Sequence, residues 1–61
     1  MTIDEFNSFG WSGHMAMTYQ GNQHDIVSVC FIEKLLAFQP EDNDQLTWVR
    51  CENVTSVERI I

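Results

Sequence analysis

The sequence predicts a mainly β fold, a short helix followed by five short, strongly bent strands in a small, partly closed barrel. Three observations predict it. Apolar residues recur every third position up to Phe9, then alternate from Met15, which exchanges a helical period for a strand period. Most later apolar stretches are rich in β-branched residues. Glycine, proline and an acidic-amide cluster cut those stretches into strand-sized pieces.

The helix is expected over residues 2–9. Thr2 and Glu5 have capping-box spacing, and Gly10 stands where a left-handed stop would fall. Ile3, Phe6 and Phe9 form its apolar stripe, and a helix this short must lie on something else to persist. Trp11, between two glycines, is expected to close the barrel end under the helix; exposed beside Phe9, it would belong to an interface instead. A first strand is expected over 14–20, with a turn at Gln20-Gly21-Asn22. The run from His24 to Gln39 is too long for one ordinary strand. It reads as strands 24–32 and 34–39, bent near Glu33-Lys34, with a helix over 31–38 as the competing reading. Pro40 ends that strand, "EDND" makes a loop, and strands 45–52 and 54–60 complete a single domain over 1–61.

A chain of 61 residues buries only about 60% of its unfolded surface, so its core is small. At 44% hydrophobic and 20% charged, the composition is that of a globular domain. Nine carboxylates oppose Lys34, Arg50 and Arg59, for a net charge of −6. That charge disfavours nucleic acid and anionic membranes and favours basic protein surfaces; solubility alone is the blander use of it. No apolar run approaches the roughly 20 residues of a membrane-spanning helix. No basic leader with an apolar run opens the chain, and two cysteines make no disulfide framework, so a reduced, cytoplasmic setting is expected. The triplet Asn53-Val54-Thr55 would then carry no glycan.

Candidate partner-binding residues are Glu41, Asp42, Asp44, Trp48, Arg50 and Glu52. Asp42 and Asp44 have calcium-loop spacing, but the glycine and distal glutamate of such a loop are missing. The acidic run is therefore either a solvated hairpin tip or a contact that speeds encounter with lysines and arginines. Trp48 and Arg50 alternate with Val49 and so share a strand face. Facing outward, an aromatic beside an arginine makes a binding hot spot. Facing inward, Trp48 would plug the core while Arg50 neutralised Glu33 or Glu52. Phe9 and Trp11 are the candidate second interface. Cys30, Cys51, His14 and His24 lack the paired spacing of a structural zinc site, and neither cysteine has an electropositive setting that would make it a nucleophile. No catalytic residue, metal or cofactor is expected. Unpaired strand edges offer a route to a homo-oligomer.

The stretch "WVRCENVTSV" resembles the second motif of the Sm-like family, with Val49, Arg50, Asn53, Val54 and Val57 on matching positions and Cys51 in place of the usual glycine. Gly21, Phe31 and Leu35 resemble the first motif, whose aspartate is replaced by Ile32 and whose loop asparagine by Leu36. The resemblance implies a small barrel of the SH3-like or Sm-like kind. The replaced polar positions touch uridine-rich RNA in that family, so their loss implies a scaffold without that activity. The acidic bacterial inhibitor of the Rho termination factor is similar in broad pattern, a small barrel in which carboxylates engage a protein.

The expected function is a non-catalytic acidic protein that docks on a basic surface of a larger protein and inhibits or modulates it. By analogy it is the sort of chain a phage or mobile element directs at a host nucleic-acid-handling or defence protein. The alternatives are an Sm-like RNA-binding ring using Arg50 and Asn53, and an oligomer holding a small ligand among Trp11, Tyr19 and Trp48.

Overall fold

The capping box forms: Thr2 Oγ1 accepts from the Glu5 amide at 3.1 Å, and the Glu5 carboxylate accepts from the Thr2 amide at 2.9 Å. Two of the amide groups left free at a helix start are thereby satisfied, and α1 runs Ile3–Ser8. The structure, a computed structural model, describes residues 1–60. The helix does not end on a left-handed glycine. Phe9 caps it in extended geometry (φ −73°), and Gly10 has no positive φ. The carbonyl of Phe6 accepts from the Phe9 amide at 3.4 Å and, more closely, from the Trp11 indole N–H at 2.9 Å. Gly10 serves proximity: its carbonyl accepts from Arg59 at 2.6 Å, and a Cβ there would stand 3.2 Å from that guanidinium.

Among the described residues the protein is mainly β, with two three-stranded antiparallel sheets and this one short helix. β1 (Met15–Tyr19) lies between β2 (Asn22–Asp25) and β6 (Val54–Arg59). β4 (Leu35–Phe38) lies between β3 (Ser28–Cys30) and β5 (Thr47–Arg50). Gln20 and Gly21, both at positive φ (52° and 80°), join β1 to β2 by the two-residue turn whose twist matches its strands. A four-residue turn, Phe31 to Lys34, joins β3 to β4 and closes on Lys34 at φ 59°. Residues 35–38 are strand, so the competing helix over 31–38 does not form.

Two further expectations need correction. Six strands form among the described residues rather than five, because the stretch expected as one strand over 24–32 divides at Ile26 and Val27. The cause lies in the hydrogen-bond partners: the Ile26 amide donates to Met15 of the first sheet at 2.9 Å, and the Val27 amide to Ala37 of the second at 2.8 Å. The chain changes sheets between neighbouring residues. The strand expected to reach 52 also stops earlier, at Arg50. A single 3-10 turn, Cys51–Asn53, follows it, with the Cys51 amide donating to Lys34 at 3.1 Å. Among the described residues the strands pair as two separate sheets, not as one closed barrel.

The core between the sheets is Phe6, Met17, Leu36, Phe38, Val49, Cys51 and Val54, with Met1, Trp11, Tyr19, Ile26, Val29 and Val57 packed around it. It holds no buried polar or charged residue among those described. Each fully buried large side chain stabilises by about 1.5–3 kcal/mol, which lets seven central residues organise a domain this small.

Candidate functional site

β5 positions the aromatic and the arginine. Its register pairs Val49 with Leu36, and both are buried. Strand alternation then turns Trp48 and Arg50 outward. Trp48 is 45% exposed, so it is not a core plug. It stands opposite Ala37, and Arg50 stands opposite Leu35, which pairs in turn with Cys30.

Two depressions lie side by side on this outer face. One, of about 450 Å³, is lined by Glu33, Leu35, Arg50 and Glu52. The other, of about 320 Å³, is lined by Cys30, Glu33, Leu35 and Trp48. Glu33 and Leu35 belong to both, so the two form one trough with an apolar end and a charged end. Arg50 shares the trough with Glu33 and Glu52, yet it comes within 4 Å of neither carboxylate. A phosphate approaching Arg50 would meet both carboxylates.

Glu41 and Asp42 sit elsewhere. They line a polar groove of about 580 Å³ with Asn22, Gln23, His24, Gln39 and Pro40, and this groove shares no lining residue with the trough. His24 forms its wall by stacking on Phe38, with ring centres 4.0 Å apart. Asp44 is exposed beyond it. The loop carrying these three carboxylates is braced by Asn43, whose side-chain oxygen accepts from the Gln45 amide at 2.9 Å. The six candidate residues therefore divide: Trp48, Arg50 and Glu52 around the trough, Glu41 and Asp42 in the groove, and Asp44 apart.

Phe9 and Trp11 pack on each other (4.7 Å between ring centres), and Trp11 also packs on Phe6 (4.9 Å). Both are half-buried, and Trp11 flanks the core beside the helix. Cys30 and Cys51 are free thiols. Burial pushes the Cys51 thiol up, and the neighbouring Glu52 charge adds to the effect. Among the described residues no three His, Cys, Asp or Glu side chains gather to hold a metal ion.

The charge distribution is lopsided. All nine carboxylates are exposed, and among the described residues none comes within 4 Å of a lysine or arginine. The one close pair is His14 with Asp25, at 3.2 Å. Lys34 lies over the Phe6 ring, and Arg59 over the Phe9 ring while it holds the Gly10 carbonyl. Two of the three cations are thus committed to aromatic rings, and the acidic surface stays open.

Sequence reasoning weighed Glu33 only as a neutraliser of Arg50, and missed Cys30 and Leu35 as walls beside Trp48. Ile32, 91% exposed at the tip of the β3–β4 turn, also passed as an ordinary strand residue. The available signal was the four-residue turn after Cys30, which places Cys30 and Leu35 opposite one another. No protein-family model, no curated protein and no solved structure matches this chain.

Proposed function

We propose that this chain is a non-catalytic acidic binding protein that docks on a basic surface of a larger protein and inhibits or modulates it. The observation that carries the proposal is the set of nine exposed carboxylates without a lysine or arginine partner among the described residues. Unpaired surface charge of one sign gains little for the fold. Facing lysines and arginines, it raises the encounter rate and selects for basic surfaces. The grooves binding nucleic acid on polymerases, nucleases and termination or defence factors are basic already, which makes a protein of that kind the target. A small acidic chain from a phage or mobile element would block such a groove by occupying it.

The scaffold is read as a strongly bent small barrel of the SH3-like or Sm-like kind. Three features support that reading: the order β6-β1-β2 in one sheet, the order β3-β4-β5 in the other, and the passage from β2 to β3 through Ile26 and Val27. Joined there, the strands follow one another as a single bent ribbon with β5 and β6 at its ends.

The test is affinity capture at two salt concentrations. At about 50 mM salt the charges reach beyond 10 Å, and at about 1 M only about 3 Å. The expected result is a protein partner retained at low salt, released at high salt, and captured less by the E41Q/D42N/D44N variant. A partner held equally at both salts and by the variant, or no partner at all, overturns the proposal.

A further inference from the structure

The trough on the outer face of β3, β4 and β5 adds a specific contact to that general charge. We infer that its apolar end is a receptor for one arginine side chain presented by a basic segment of the partner protein. This rests on the reading of the chain as an acidic docking module, and it names the residues and the partner chemistry.

Three features converge on arginine. First, the apolar end is lined by Cys30, Leu35 and Trp48 with one carboxylate, Glu33, and no cation. Trp48 keeps 45% of its surface exposed there, although its strand neighbour Val49 is buried. Such a site suits a side chain that is planar, cationic and weakly hydrated: a guanidinium stacks on an indole while its N–H groups fork onto a carboxylate. An ammonium is a compact, strongly hydrated charge, so it gains less from Leu35 and the indole face. Second, the Glu33 carboxylate has no lysine or arginine within 4 Å among the described residues, so an incoming guanidinium displaces no existing pair. Third, the trough continues from Glu33 and Leu35 to Glu52, whose carboxylate can accept backbone N–H groups of the segment that carries the arginine. β5 is the terminal strand of its sheet, so the trough lies beside an edge along which an extended segment can run.

Arg50 lines the charged end with Glu33 and Glu52. It repels a second cation there and so sets register. The arginine is directed to the Trp48 end, with uncharged residues passing Arg50.

The experiment is a titration of the isotope-labelled protein with three decapeptides followed by amide and indole NMR shifts. The peptides carry one central arginine, one central lysine or one central citrulline, each with the same flanking lysines and glycines. The expected result is shifts at Glu33, Leu35 and the Trp48 indole, with the arginine peptide about fivefold tighter than the lysine peptide and the citrulline peptide weaker still. Glu33→Gln and Trp48→Ala, both at exposed positions, should each remove the preference for arginine, and their unperturbed spectra elsewhere certify folding. Equal binding of the arginine and lysine peptides, or a preference that survives both substitutions, overturns the inference. Shifts confined to the Glu41–Asp44 loop would sink the trough and leave the acidic docking reading standing. No binding of any of the three peptides at low salt would count against both.

Discussion

The ammonium of Lys34 lies 5.6 Å from the centre of the Phe6 ring, and Phe6 is the most deeply placed residue of the helix. A surface cation thus covers the spot where α1 meets the sheets, and among the described residues it has no carboxylate within 4 Å. The Lys34 backbone is also in the left-handed region, at φ 59°, and its carbonyl receives the Cys51 amide. One residue therefore combines a favourable cation–π contact with an unfavourable backbone.

Two substitutions separate those effects. Lys34→Ala loses a contact of about 0.5–1 kcal/mol and keeps the strain. Lys34→Gly loses the same contact but relieves about 1–2 kcal/mol of left-handed cost, less the extra entropy of an unfolded glycine. The glycine variant is expected to be the more stable of the two by about 0.5–1 kcal/mol, read as a higher urea midpoint at an unchanged slope. An alanine variant as stable as the glycine one would refute the strain at Lys34.

The capping box predicts an acid-sensitive term. Hydrogen bonds from the Thr2 backbone and side chain hold the Glu5 carboxyl below its ordinary value. A depressed folded-state pKa means that the unfolded chain binds the proton first. The contribution is then complete above the ordinary glutamate value and is lost as pH falls through the folded value. Glu5→Gln keeps the box geometry without the charge, so its stability should change less with pH over that range. Parallel acid-unfolding curves for the two proteins would show that the charge contributes nothing.

Cys51 has the opposite sign. Burial raises its pKa, so the fold favours the neutral thiol. That contribution is complete below the unfolded thiol's value, near 9.0, and is lost as pH rises through the higher folded value. The native protein should alkylate at Cys30, which is half-exposed, and spare Cys51 until it unfolds. Peptide mass mapping after brief iodoacetamide treatment at about pH 8 reads the order directly. Faster labelling of Cys51 than Cys30 would contradict its place in the core.

Much of the fold was legible because its signals are local. The capping box needs only Thr2 and Glu5, the hairpin turn only Gln20 and Gly21, and the β3–β4 turn falls where Glu33 and Lys34 interrupt an apolar run. The division at Ile26 and Val27 was not legible. An apolar β-branched run reads the same whether it stays in one sheet or crosses to another, and what divides it is two carbonyls outside the run's own local pattern, on Met15 and Ala37. The left-handed stop at Gly10 failed for a related reason: that position answers to Arg59, 49 residues on. The candidate site was half legible. Strand period places Trp48 and Arg50 on one face, but two faces are always on offer, and pairing with the buried Leu36 selects Val49 for the inside.

That choice of face can be tested by two neighbouring substitutions. Val49 is 7% exposed and packs in the central cluster, so Val49→Ala removes buried methyl groups and leaves a gap. The expected loss is about 1.5–2.5 kcal/mol, a large share of what a domain of this size has. Trp48→Thr keeps strand propensity and gives up only a half-exposed ring over Ala37, so its loss should stay under about 1 kcal/mol. Urea denaturation of the two variants ranks them. The reverse order would put the indole in the core and the valine outside, and it would take the trough with it, because Cys30, Leu35 and Arg50 share Trp48's face of the sheet.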